Sequence, residues 1–145
     1  MAYKIFVDTN MYLDVLLQRG SDWQMSESIF HLAEQGKLKL FTSSSSLLNI
    51  MYIMGMYKIP AGKIAETAKD ILSFTTLTDP DNTTFEIAVS SKFKDKEDAV
   101  QYYTAINQDG IDFFVTSNLK DYKHALPQLK VLSPSTFVTQ LAKNS

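Results

Sequence analysis

Short apolar runs alternate along this chain with longer stretches in which apolar residues recur every three or four positions. Tyr3 to Val7 is short, mostly apolar and β-prone, which predicts a strand buried on both faces. Asp8-Thr9-Asn10 follows, and Met11 to Gln18 reads as a helix broken at Arg19-Gly20-Ser21. Asp22 is placed to cap a second helix that reaches about Gln35 and stops at Gly36. Leu38 to Thr42 predicts another strand, and the serines Ser43 to Ser46 offer N-caps for an apolar helix ending near Tyr57. Pro60 suits the first turn of a helix running to about Phe74, with a strand expected over Thr75 to Thr78.

Asp79-Pro80-Asp81 reads as a turn into a helix through Ser90. Lys96 to Asn107 predicts a further helix with Ala99, Tyr102, Tyr103 and Ile106 on its apolar face. Ile111 to Thr116 is the clearest later strand, followed by the polar turn Ser117 to Tyr122. Leu129 to Leu132 makes a last short strand, and Ser133-Pro134 opens a terminal helix with Phe137 and Leu141 on one side. Strands alternating with helices predict an α/β fold with a parallel sheet covered on both faces. In such sheets ligands sit outside the carboxyl ends of the strands. Apart from the serine run there is no linker, repeat or low-complexity stretch, so residues 1–145 are expected to form one domain.

Composition narrows the function without naming it. The apolar share of 45% and charged share of 21% are those of an ordinary soluble globular protein. The chain has no cysteine, which removes disulfides, thiolate zinc sites and cysteine nucleophiles and fits a reducing cytosol. The run before Asp8 is too short for a signal-peptide core, and the longest greasy stretch, Leu47 to Tyr57, is too short to cross a bilayer. A cytoplasmic protein with no membrane partner is therefore expected. A net charge of −2 argues against a module that only binds nucleic acid, but not against an enzyme that holds acids for a metal ion.

Three acids converge if the predicted topology holds. Asp8 follows the first strand, Asp98 lies in the first turn of the helix that starts near Lys96, and Asp121 follows the strand Ile111 to Thr116 by one tight turn. Each has an ordinary use: Asp8 as a helix cap, Glu97 and Asp98 as first-turn acids that complement the helix dipole, Asp121 as a solvated turn residue. Together they offer the hard oxygen ligands that magnesium or manganese require. His31 and His124 lie elsewhere and are expected at the surface rather than as ligands.

These residues resemble the PIN-domain ribonucleases, a family that includes many toxins of toxin–antitoxin pairs. The matching pieces are Val7-Asp8-Thr9-Asn10, Glu97-Asp98-Ala99 and Val115-Thr116-Ser117-Asn118-Leu119-Lys120-Asp121-Tyr122, with Leu132-Ser133-Pro134 and Phe137 closing the chain. The resemblance spans nearly the whole chain. It implies a three-layer, five-stranded parallel sheet with helices on both faces, and hydrolysis of RNA by Mg2+ or Mn2+ at a cluster of acids. Asp8 and Asp98 match the most characteristic metal-binding aspartates and Asp121 the acid after the last motif, while Asn118 takes a place that is acidic in many relatives. Thr9, Asn10 and Thr116 would support the site through hydrogen bonds. The cation would activate a water for in-line attack on phosphorus and neutralise charge on the phosphate oxygens.

One position departs from the family. Asn49 stands where relatives often carry a glutamate near the start of the third helix, and an amide brings no negative charge. Two other α/β folds that use aspartates fit less well. A haloacid-dehalogenase-like phosphatase needs a second aspartate where Asn10 stands, and a receiver domain needs paired acids near the N-terminus. Neither accounts for Asp121. The alternative from another class is a weak or inactive module that binds nucleic acid or a partner. Its carrier is the helix with Leu47, Leu48, Ile50, Met51, Tyr52, Ile53, Met54 and Met56, apolar nearly all round. That helix also predicts a homodimer or an antitoxin-binding surface.

Overall fold

Along the chain run β1 (Tyr3–Val7), α1 (Thr9–Leu17), α2 (Trp23–Glu34), β2 (Leu38–Thr42), α3 (Ser44–Met56), α4 (Ala61–Phe74), β3 (Thr75–Leu77), α5 (Asn82–Val89), α6 (Lys96–Asn107) and β4 (Phe113–Val115). A 3-10 turn (Leu119–Tyr122), β5 (Val131–Leu132) and α7 (Pro134–Lys143) complete it, in a computed structural model that describes residues 2–144. The strands pair in the order β3-β2-β1-β4-β5, all parallel. β1 is therefore central, and its side chains alternate between two cores. Ile5 and Val7 enter one with α1, α2, α3, α4 and α7, while Phe6 enters the other with α5 and α6. Ile5, Phe6 and Val7 are all fully buried, as a strand covered on both faces requires. The second core is aromatic: Phe6 stacks on Phe114 at 5.4 Å, and Phe114 packs on Tyr122 at 4.8 Å.

Local chemistry explains most element ends. Ser43 caps α3 by accepting from the Ser46 N–H, and Ser133 caps α7 by accepting from the Thr136 N–H. Gly36 adopts φ +76° after α2, and the Lys37 N–H reaches back to the Leu32 carbonyl at 2.9 Å, closing the helix as the sequence predicts. Two details differ from expectation, and one, the cap of α6, was not foreseen. Asp22 occupies the cap position of α2 but its side chain accepts no cap hydrogen bond. α6 is capped by Asp95, which accepts from the Asp98 N–H. β4 is shorter than expected: just before it, Asp112 donates its N–H to the Lys4 carbonyl at 2.7 Å, and it is the Asp112 carboxylate that accepts the Lys4 N–H at 2.8 Å. Among the described residues no helix is long and apolar enough to cross a membrane.

Candidate active site

The register of the central strands builds the site. Val7 pairs with Val115, so the next residues, Asp8 and Thr116, emerge side by side at the carboxyl ends of β1 and β4. Thr116 Oγ1 donates to Asp8 Oδ2 at 2.7 Å, and the Asp8 N–H donates to the Val115 carbonyl at 3.1 Å. Asp8 is 1% exposed. It stands at the cap position of α1, yet no N–H of that helix makes a cap hydrogen bond with its carboxylate. Its carboxylate is held chiefly by side chains from other elements, with the first N–H groups of α1 nearby.

The other Asp8 oxygen is held from α6. Gln101 Nε2 donates to Asp8 Oδ1 at 3.2 Å, and Gln101 Oε1 accepts from the Thr9 N–H and lies within reach of the Thr9 and Ser46 hydroxyls. The Thr9 N–H can only donate, so it orients the Gln101 amide with its oxygen toward Thr9 and its NH2 toward Asp8. Thr9 Oγ1 and Ser46 Oγ are 2.6 Å apart, and Ser43 Oγ lies 3.0 Å from Ser46 Oγ, so the network ties α1, α3 and α6 to one carboxylate. Burial raises the pKa of Asp8, countered by the hydrogen bonds from Thr116 and Gln101 and by the nearby Asn10 and Thr9 N–H groups.

Asp98 enters one turn earlier on α6, three residues before Gln101 and hence on a neighbouring part of the same face. Its pKa is pushed up to about 7, first by burial and then by the negative charges of Asp8, Asp95 and Asp121. The acids named in the sequence are therefore close enough to feel one another. Asp121 sits on the exposed 3-10 turn at the edge of this group, and the next residue, Tyr122, is buried with its hydroxyl facing Asp98. That hydroxyl makes no hydrogen bond of good geometry. Its pKa is raised by burial and by the charges of Asp8 and Asp98.

No lysine, arginine or histidine among the described residues forms an ion pair with Asp8, Asp98 or Asp121. Hard, anionic oxygens without a cationic neighbour fit a divalent ion such as magnesium or manganese. As the side chains stand, no three acidic or imidazole groups among the described residues gather tightly enough to hold a metal ion. Asp8 and Asp98 form the interior of the site and Asp121 its rim.

A polar cleft of about 410 Å³ opens beside these acids, lined by Asn10, Asp14, Arg19, Ser117 and Asn118 among others. Asp14 anchors it: Arg19 Nε donates to Asp14 Oδ1 at 2.8 Å and Ser117 Oγ to Asp14 Oδ2 at 2.9 Å. Arg19 also reaches Asn10 Oδ1 at 3.4 Å, and the Asn118 N–H donates to Thr116 Oγ1 at 3.1 Å. Asn49 is half-buried one turn beyond Ser46 on α3 and makes no side-chain hydrogen bond among the described residues. His31 is exposed as expected, whereas His124 is half-buried with its ring 6.4 Å from that of Phe93.

Sequence reasoning missed Gln101, Ser46 and Asp14. Gln101 carries a readable signal, since it follows Asp98 by three residues on a helix otherwise flanked there by Ala99 and Tyr102. Ser46 was hidden among four serines, any of which could cap a helix.

Residues 4–120 match the family model for the PIN domain. The chain is 24% identical over 139 residues to Ribonuclease VapC1 of Aquifex aeolicus (strain VF5), covering 92% of each protein. Among solved structures it resembles VapBC2 from Rickettsia felis bound to a DNA fragment from their promoter. That likeness has a TM-score of 0.62 at 16% identity, over 90% of this chain and 98% of that one, and is one of fold.

Proposed function

The chain belongs to the PIN domain family, and from that premise we propose that it is a ribonuclease that hydrolyses RNA phosphodiester bonds with Mg2+ or Mn2+. The observation that carries this reading is the grouping of Asp8 and Asp98 near the carboxyl ends of β1 and β4 with no ion-paired cation among the described residues; burial first, and then the charges of Asp8, Asp95 and Asp121, push the Asp98 pKa up to about 7. Negative charge concentrated at the carboxyl end of a parallel sheet favours a divalent ion over a neutral ligand. When bound, such an ion activates water and neutralises charge on the phosphate. Asp8 and Asp98 hold it. Asp121 completes the acidic rim, and Asn118, Asn10 and Asn49 supply neutral oxygens around it. Thr116 and Gln101 lock the Asp8 carboxylate in one orientation, and Thr9 and Ser46 fix Gln101.

The name of the Aquifex relative supports the ribonuclease reading, and the VapBC2 assembly supports a toxin held by an antitoxin protein. We place the protein in the cytoplasm as a single domain that forms a homodimer through α3, where Leu48, Tyr52 and Met56 lie exposed at 64%, 68% and 64%. The same apolar stripe favours the second reading, a module that binds a partner without cutting RNA.

Cleavage of a mixed pool of single-stranded RNA, with Mg2+, Mn2+ or EDTA, distinguishes the two. Wild type should cut with either ion and not in EDTA, and Asp8→Asn should be inert throughout. Equal inertness of wild type and Asp8→Asn would replace the enzyme with the binding module.

A further inference from the structure

The net charge of −2 leaves open how an acidic chain holds a polyanion at a site made of acids. A recess of about 200 Å³ on the rim of that site supplies the missing charge. It is lined by Lys94, Asp95, Lys120, Asp121, Lys123 and His124. We propose that this recess is a subsite that binds a backbone phosphate of the single-stranded RNA lying across the acids, a proposal that rests on the ribonuclease reading above.

Two features of the recess point to an anion. Lys94, Lys120 and Lys123 form no ion pair or hydrogen bond among the described residues, although Asp95 and Asp121 line the same recess. Asp95 is partly spent, because its Oδ1 caps α6 by accepting the Asp98 N–H at 3.0 Å. Lys96, by contrast, is spent wholly on structure, donating to the Ser91 and Phe93 carbonyls at 3.0 and 2.8 Å. Position therefore separates the lysines: one is tied to the carbonyls of the loop before α6, and three line the recess without an ion pair or hydrogen bond among the described residues.

The volume holds a phosphate with a few waters, each water taking about 30 Å³. His124, its ring tilted on Phe93, adds a half-buried flat surface against which a base can rest. Asp121 lines this recess and is also one of the charges felt by Asp98, so a phosphate bound here belongs to the strand presented to the acids. The lysines come from two segments, the loop before α6 and the turn after β4, that line one recess.

The test is equilibrium binding of a fluorescently labelled single-stranded RNA in EDTA, read by anisotropy over a series of salt concentrations. EDTA keeps cleavage out of the measurement. Replacing three phosphate contacts, as in K94Q/K120Q/K123Q, should raise Kd by about tenfold or more and flatten the log Kd against log salt slope by about 2, at roughly 0.7 per contact for single strands. The arginine triple K94R/K120R/K123R should bind as wild type does. A control of equal charge, K37Q/K58Q/K69Q, replaces lysines that do not line the recess and should keep the wild-type slope. An unchanged slope in the recess glutamine triple, an equal loss in the control, or no RNA binding by wild type would each overturn the subsite. If wild type cuts RNA while the recess variants bind normally, the subsite falls alone. If they lose binding but wild type cuts nothing, the ribonuclease reading falls and what remains is an RNA-binding recess without a cleavage site.

Discussion

Gln101 Nε2 donates to Asp8 Oδ1 at 3.2 Å, joining the helix before β4 to the end of the first strand. The same side chain accepts the Thr9 N–H at 3.2 Å and lies 3.3 Å from the Ser46 hydroxyl. One amide thus serves donors and an acceptor from three elements, all in a buried setting. Gln101→Leu would orphan them together and should destabilise the protein by about 2–3 kcal/mol, the usual cost of stranding buried polar groups. Urea denaturation reads this, and a loss under about 0.5 kcal/mol would deny the network its structural weight. Gln101→Glu should be tolerated better at pH 5 than at pH 8, since it places a second carboxyl beside Asp8.

Asp98 makes the metal-free protein sensitive to pH in a definite direction. The folded chain keeps the Asp98 proton up to about pH 7, whereas the unfolded chain releases it near the ordinary value of 3.8. The folded state binds more protons in between, so its stability should fall as pH rises from about 4 to about 7 and level off above. Asp8, also raised by burial, acts in the same sense. In EDTA, Tm should decline across that window for wild type and decline less for Asp98→Asn. Adding Mn2+ at pH 8 should restore Tm in wild type alone, and an equal rise in Asp98→Asn would remove Asp98 from the metal site.

Asn49 tests how much charge the site needs. A glutamate there adds a carboxylate on α3, next to the turn that carries Ser46. Neighbouring charges act strongly at short range, so Asn49→Glu should tighten Mn2+ binding by several fold, measured by calorimetry, and speed cleavage of the RNA pool. Wild type should respond better to manganese than to magnesium, because manganese binds mixed oxygen ligands more tightly. No gain in metal affinity for Asn49→Glu would place the α3 side chain outside the ion's reach.

Asp95 links a cap to an active-site charge. Its carboxylate caps α6 and its charge helps raise the Asp98 pKa. Asp95→Asn should keep much of the cap, since asparagine caps about as well as aspartate. It should also lower the Asp98 pKa, followed by NMR titration of the Asp98 carboxyl carbon. An unmoved titration midpoint would show that the two charges do not communicate.

The exposed stripe on α3 should govern assembly. Wild type is expected to be a dimer by light scattering at tens of micromolar. Tyr52→Lys with Met56→Lys should give a monomer of unchanged Tm, since both side chains project into solvent within one chain. A wild-type monomer, or a dimer that survives both changes, would direct attention to another face.

Much of this architecture is written in local pattern. Tyr3 to Val7 could hardly be other than a strand buried on both sides, and the register that follows sets Asp8 beside Thr116 as soon as β1 and β4 are neighbours. Asp98 was singled out because its helix leads into the strand beside β1 and because Glu97-Asp98-Ala99 resembles the family motif, since first-turn acids are by themselves common. Caps at Ser43 and Ser133, and the stop at Gly36, follow from chemistry within five residues.

What the sequence could not decide is how each polar side chain is used once several compete for the same partner. Asp8 has the position of a helix cap, yet its side-chain hydrogen bonds come from Thr116 and Gln101 on other elements. Lys94, Lys96, Lys120 and Lys123 are alike as letters, yet packing turns one toward backbone carbonyls and leaves three around a recess. Periodicity records which face of an element is apolar. It holds no record of which distant elements meet there, and both the partners of a buried carboxylate and its proton affinity depend on that meeting.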